Sequence, residues 1–504
     1  MDKNYIQIRE EDNVIIALSP LKKGETININ NDEFTLLEDI NLGHKIAIKD
    51  IKAGSNIIKY GYPIGKAKVD IKKATHVHTQ NVVTNLSEQI EYSYDKEKAI
   101  KLKEVWENEN KVDDDIFINA YVRENGDIAI RNDIWIVPTV GCVNKIASTL
   151  EVWAQEKIKD TNIDKVLALT HPYGCSQMGD DHENTKKILA DLVKHPHAGG
   201  VLVIGLGCEN NTIDKFKEEI GTYNSDRVKF LIAQESDDEI RDAQNLLLQL
   251  IDYAKTSKRE KVSISKLKIG MKCGGSDGLS GISANPLVGL VCDKLAAYKS
   301  SVILTEVPEM FGAEQILMDR CVNEKVFEDC VNLINNFKQY YIDNNQVVYE
   351  NPSPGNKEGG ITTLEDKSLG CVQKGGKAPI EGVLNYGDLI DQSGLLLLNG
   401  PGNDIVSTTN MSASGVNLIL FTTGRGTPLG SVVPTVKIAT NHQLAENKKN
   451  WIDFDASQIL NEDKNIVRDR LIDYIITLAN GDIKTKNETN NYNEIAIFKN
   501  GVTL

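Results

Sequence analysis

From residue 117 onward the chain alternates short apolar runs with segments of helical length. "DIWIVPTV" precedes "NKIASTLEVWAQEKI", and "VLALTHP" precedes "NTKKILADLVKH". "GGVLVIGLG" precedes "NTIDKFKEEI", and "VKFLIAQ" precedes "SDDEIRDAQNLLLQLIDYA". Apolar runs bounded by helices of about 10–20 residues read as strands buried on both faces, so this part of the chain predicts βαβ units and a mainly parallel sheet. The series continues through "KLKIGMKCGG", "SVILTEVPE" and a helix near 313–344. Residues 345–380 are loop-rich. "GLLLLNGPGN", "NLILFTTGRG" and "VPTVKIATN" then predict a second α/β lobe over 381–504, following a main α/β domain over 117–380.

The first 90 residues read differently. "NVIIAL", "ETININ", "HKIAIKDI" and "SNIIKY" are short β-rich runs, punctuated by the turn sequences "PLKKGE", "INLGHK" and "IKAGSN". They predict a small all-β module over 1–90. Residues 91–116 are highly charged with little apolar periodicity, which predicts a linker carrying one exposed helix.

Cysteine placement follows the strand pattern. Cys142, Cys175, Cys208 and Cys273 each lie just beyond the carboxyl end of a predicted strand. Ligands of open parallel sheets bind at that edge, so the four thiols are expected to converge on one face. Thiolates favour iron, zinc or an iron–sulfur cluster. Packing is the competing reading, since free cysteine is among the most buried residue types. Cys292, Cys321 and Cys330 fall in helical patterns and read as core; Cys371, in a Gly-rich loop, fits either use. Eight cysteines in 504 residues without a CxxC make neither a disulfide scaffold nor a zinc ribbon.

His76 and His78 alternate in "THVHTQN", so on a strand both point to one face and form a candidate metal pair. His171 leads toward Cys175, and His442 follows a strand. His182 reads as structural, in a helix first turn, and His44, His195 and His197 as solvated turn residues. "GLGCEN" begins like a dinucleotide fingerprint but has Asn210 where the last glycine belongs. No P-loop motif occurs. The "PGN" turns place Asn356 and Asn403 as candidate ligands for hydroxyls or a carboxylate. Lys272, Lys374, Lys377 and Arg425 fall in Gly-rich loops as candidate carboxylate holders.

A net charge of −15 disfavours nucleic acid and anionic membrane as partners but leaves room for a local basic pocket and a small anionic substrate. No apolar run approaches the ~20 residues of a membrane span. The charged N-terminus lacks a signal-peptide core, so a cytoplasmic location is expected. The oligomeric state is not legible, although chains of this size often form dimers.

"MKCGGSDGLSGISANP", "EVPEMFGAEQILMDRC" and "SPGNKEGGITTLEDKSLGCVQKGG" closely resemble the altronate dehydratase/galactarate dehydratase family. The resemblance extends to "IRNDIWIVPTVGCVN", "THPYGCSQMGDD" and "TTGRGTPLGSVVPTVKIATN", and is closer to the altronate members. It identifies the N-terminal module with the SAF-type (β-clip) module of these enzymes. It implies a hydro-lyase that converts D-altronate to 2-dehydro-3-deoxy-D-gluconate and water, with loss of the C2 proton and the C3 hydroxyl. It also implies a divalent metal, commonly iron(II) and sometimes manganese(II), whereas three cysteine ligands would suit a [4Fe–4S] centre, the less favoured alternative. The expected metal ligands are His76 and His78, with Cys175, Cys208 and Cys273 as a second group. His171, Lys272, Glu306 and His442 are candidate acids and bases. Ser276, Asp277, Asn356, Lys374, Asn403 and Arg425 are candidate substrate contacts. The rival readings are the same fold acting on galactarate or sulfolactate, and a non-catalytic sugar-acid-binding protein.

Overall fold

A computed structural model describes residues 4–86, 91–112 and 114–501. In the N-terminal module, Tyr5–Ile6, Val14–Ala17, Lys45–Ala47 and His76–Val77 form an antiparallel sheet in that order. Asn56–Lys59, Tyr62–Ala67 and Val82–Val83 form a second sheet. The Val14–Ala17 strand is buried along its length, and its alternating side chains serve two cores. Ile15 joins Leu21, Ile27, Leu36 and Ile46 in the module's own cluster. Val14 and Ile16 turn the other way, into a cluster that includes Met271 and Leu304 of the body. The module is thus docked by its core rather than tethered.

Two buried lysines fix the docking. Lys45 Nζ and Lys59 Nζ lie 2.8 and 2.9 Å from the two carboxylate oxygens of Asp366. The following linker carries one helix, Lys96–Glu109, capped by the Asp95 side chain. Its Trp106 Nε1 donates to Asp293 Oδ1 at 2.9 Å and anchors the helix to the body.

The next unit is a four-stranded parallel sheet in the order Val166–Ala168, Asp133–Pro138, Ala198–Gly205, Val228–Ile232. Alternation again supplies two cores. Ile134 and Ile136 pack with Leu202, Ile204 and Leu250. Trp135 and Val137 pack into a cluster that reaches Ile303, Leu396 and Phe421 of the neighbouring sheet. The strands Phe117–Val122 and Arg259–Ser263 pair antiparallel and carry the chain into and out of this unit.

The largest sheet has seven strands, in the order Ile380–Leu384, Gly394–Leu398, Ser301–Leu304, Lys268–Cys273, Leu418–Thr423, Thr435–Ala439, Phe454–Asp455. Every neighbouring pair is parallel. This differs from the expected division at 380/381. The strand Lys268–Cys273 pairs with Ser301–Leu304 on one side and Leu418–Thr423 on the other, so segments from both sides of that boundary share one sheet. Among the described residues, no helix is long and apolar enough to cross a membrane.

Candidate active site

The Gly-rich stretch after Cys273 is where the N-terminal module sits. A Cβ at Gly278 would fall 2.0 Å from the Gly43 carbonyl oxygen, and one at Gly360 would fall 2.4 Å from the same atom. The backbones touch, so only glycine fits at either position. Gly278 N donates to Gly359 O at 2.7 Å and joins the two body loops beneath the module's turn.

The residue after Gly43 is His44. The strand register pairs Ile46 with His76, and this brings His44, His76 and His78 together with ligand nitrogens all within 4.8 Å of one another. His44 Nδ1 lies 2.8 Å from His76 Nε2. His44 Nε2 donates to the Glu358 carbonyl at 3.0 Å. A carbonyl only accepts, so Nε2 carries the proton and Nδ1 turns its lone pair toward the other imidazoles. His78 Nδ1 lies 3.1 Å from Thr362 Oγ1. Burial pushes the His44 pKa down; His76 falls to about 4 and His78 to about 3, with Lys45 adding repulsion in each case. All three rings are neutral near pH 7, the form that binds a metal. Three neutral imidazoles, one oriented by a backbone carbonyl, fit a divalent transition metal and suit iron better than manganese, which favours oxygen donors.

A second group, Cys273, Glu309 and Cys371, also has its ligand atoms within 4.8 Å and is fully buried. The two sulfurs are 3.4 Å apart, and each lies 3.0 Å from Glu309 Oε2. This group is already balanced by cations. Lys374 Nζ is 2.9 Å from Cys273 Sγ, and Lys367 Nζ is 2.8 Å from Glu309. A dication here would face ammonium groups at two of its three ligands, so the arrangement does not fit a metal. Lys272 pairs with Glu306 and, at 2.9 Å, with Asp404. Glu306 also accepts from Cys273 N at 3.0 Å and lies 3.3 Å from Lys374. It holds φ at +71°, a left-handed conformation that costs about 1–3 kcal/mol in a non-glycine residue and is sustained by these contacts. Burial raises the Glu306 pKa, with Glu309 adding to the rise, whereas Lys367, Lys272 and Lys374 hold Glu309 well below the usual carboxylate range.

The expected four-cysteine convergence does not occur. Cys142, Cys175 and Cys208 are exposed at the edge of the four-stranded sheet, whereas Cys273 is buried on the seven-stranded one. Cys175, Cys208 and Cys273 therefore form no common ligand group within 4.8 Å.

The other candidates are placed as follows. His171 is buried with both ring nitrogens occupied: Nε2 donates to the Pro138 carbonyl at 2.8 Å and Nδ1 accepts from Tyr173 N. His442 is exposed and bonds Asp455 at 2.8 Å, which raises its pKa. Asp277 is buried and accepts from Ser280 Oγ, Leu279 N and Thr440 Oγ1, tying its loop to the Thr435–Ala439 strand end. Asn356 closes a capping box with Ser353 and donates to the carbonyl of the buried Ser276 at 2.8 Å. Asn403 caps the Asp404–Ala413 helix. Of the six residues expected to contact substrate, Arg425 has its guanidinium half-exposed. It donates to Glu358 Oε2 at 2.8 Å and to Gly355 O at 3.1 Å, while the Glu358 carbonyl holds His44.

Sequence reasoning missed His44, Lys45 and Asp366. His44, His195 and His197 are all buried rather than solvated. For His44 the signal was the turn "LGHK" leading into a strand, whose pairing with "HVH" only the fold reveals.

Three family models match the chain in order. They are described as the altronate/galactarate dehydratase SAF domain over residues 3–85, the D-galactarate dehydratase/altronate hydrolase second domain over 120–255, and the D-galactarate/altronate dehydratase C-terminal region over 264–503. A β-clip module seated on an α/β body with these matches defines a hydro-lyase of the sugar-acid dehydratase class. The altronate dehydratase of Bacillus subtilis (strain 168) is 50% identical, with 100% of both chains covered. That of Escherichia coli (strain K12) is 49% identical over 99% of this chain and 100% of its own. The galactarate dehydratase (L-threo-forming) of Escherichia coli (strain K12) is 31% identical over 98% of this chain and 96% of its own. The chain belongs to the altronate/galactarate dehydratase family.

Proposed function

We propose that this chain dehydrates D-altronate to 2-dehydro-3-deoxy-D-gluconate, using a divalent metal held by His44, His76 and His78. The observation that carries the substrate is the identity of about half of all positions, end to end, with two altronate dehydratases, against 31% with the galactarate enzyme.

Iron(II) is the preferred ion and manganese(II) the alternative; either supplies positive charge beside the carboxylate and hydroxyl oxygens of a 2,3-dihydroxy acid. The reaction removes the proton from C2 and the hydroxyl from C3, and the resulting enol becomes the 2-keto acid. Arg425 is suited to pair with the substrate carboxylate, because its guanidinium is half-exposed and held by the same Glu358 that orients His44. Burial keeps the imidazoles deprotonated, and Lys45, itself pushed down to about 8 by burial, adds like-charge repulsion.

The test is anaerobic protein loaded with iron(II) and offered D-altronate or galactarate, with 2-keto-3-deoxy acid as the readout. Turnover of altronate that chelation abolishes and iron(II) restores is expected. Turnover of galactarate alone overturns the substrate, and silence with both acids in metal-loaded protein overturns the activity.

A further inference from the structure

The eight cysteines divide cleanly. Five are buried, and three, Cys142, Cys175 and Cys208, are exposed. Exposure is unusual for this residue, and the exposed three have a common position. They follow the strands Asp133–Pro138, Val166–Ala168 and Ala198–Gly205, which are the three neighbours Val166–Ala168, Asp133–Pro138, Ala198–Gly205 of one parallel sheet. Each is preceded by a glycine, Gly141, Gly174 or Gly207, and successive cysteines are 33 residues apart (175 − 142 and 208 − 175).

The three loops are cross-locked. Gly141 N donates to Tyr173 O at 2.8 Å, and Asn211 N to Gly174 O at 3.3 Å. Asn211 Nδ2 donates to Thr139 O at 3.2 Å, and Asn210 Nδ2 to Gln177 O at 3.2 Å. The Glu209 carboxylate accepts from Thr139 Oγ1 at 2.7 Å and from the amides of Leu206 and Gly207 at 3.0 and 2.6 Å. A Cβ at Gly174 would lie 2.0 Å from Thr139 O, so the second loop is pressed onto the first. The thiols themselves have weak partners: Cys208 Sγ is 3.8 Å from Gln234 Nε2 and Cys175 Sγ is 3.7 Å from Ser176 Oγ.

We infer that Cys142, Cys175 and Cys208 hold an iron–sulfur cluster, separate from the three-histidine site. Spacing selects a cluster over a single ion. Tetrahedral zinc–thiolate bonds of about 2.3 Å require sulfurs about 3.8 Å apart. These three do not meet within 4.8 Å, although they follow neighbouring strands, which lie about 4.8 Å apart. A cubane accommodates thiolates farther apart than a single ion does, roughly 6 Å, because each binds a different iron. Two ferrous ions, two ferric ions and four sulfides give a core of charge +2; three thiols each release a proton on binding, and the fourth iron is left without a protein sulfur. Exposure of the sulfurs lets the core be delivered from outside the fold. The inference stands whether or not altronate is the substrate.

The test uses the full chain, prepared anaerobically and supplied with equal amounts of ferrous and ferric salt plus sulfide. About four irons and four acid-labile sulfides per chain are expected in addition to the histidine-bound ion, with sulfur-to-iron charge-transfer absorption and a paramagnetic signal on reduction. Each of Cys142→Ser, Cys175→Ser and Cys208→Ser should lower sulfide retention several-fold while thermal unfolding is unchanged, and the triple variant should retain none. Cys273→Ser should keep the cluster spectrum. Absence of retained sulfide in the wild-type chain, sulfide retained by the triple serine variant, or one zinc per chain held by the three thiols each overturns the inference.

Discussion

The two parallel sheets end in opposite environments. At the carboxyl edge of the four-stranded sheet the loops face solvent, and Cys142, Cys175 and Cys208 are exposed. At the corresponding edge of the seven-stranded sheet, Cys273 and Cys371 lie with Lys272, Lys367, Lys374, Glu306 and Glu309 in an interior the N-terminal module helps to seal. Both edges gather side chains from segments distant in sequence, as open α/β sheets do. What covers the edge decides the chemistry. Under cover, every charge requires a partner; in the open, thiols stay available to an outside ligand.

The largest expected effect comes from the histidines that meet the covered edge. His76→Ala should cost about 10³-fold in turnover, corresponding to several kcal/mol of lost charge stabilisation, with loss of the ion bound in excess of sulfide-matched iron by elemental analysis and unchanged thermal unfolding of the metal-free protein. Retention of that excess ion would break the assignment of this site. The interior network comes next. Asp366→Asn leaves Lys45 and Lys59 without their carboxylate and should lower stability by about 3–5 kcal/mol in chemical denaturation. A value near zero would show that the seal does not depend on this ion triad.

Acidification sharpens the same contrast. The folded-state pKa values of His76 and His78 lie below the ordinary 6.5, so the unfolded chain binds more protons between there and about 4. Their contribution is complete above 6.5 and is lost as pH falls from 6.5 through about 4 and 3. The metal-free protein should therefore lose stability over that window, and His78→Gln should flatten the slope. The smallest effect is expected at the surface: His442→Ala should leave turnover within about twofold. A larger loss would return His442 to the acid–base candidates.

The parallel architecture was legible because buried strands write continuous apolar runs between helices. The 380/381 division was not, because strand order in a parallel sheet is set by crossover packing rather than by sequence order; Lys268–Cys273 lies between Ser301–Leu304 and Leu418–Thr423. His76 and His78 were legible through period-two alternation. Their partner His44 was hidden, since only the register of Ile46 with His76 brings it close. Cys371 left two readings open in the sequence, and its contact with Cys273 depends on a wholly buried helix, Leu364–Cys371.

The pairing of one carboxylate with two ammonium groups, Asp366 with Lys45 and Lys59, leaves a surplus positive charge beneath the histidines of a chain whose net charge is −15. An approaching acid anion is therefore repelled by the molecule at long range and attracted by this island at short range. At physiological ionic strength the screening length is about 8 Å, so salt mutes the distant repulsion while the sheltered attraction persists. Moderate salt should thus help, rather than hinder, the capture of an anionic substrate at this site.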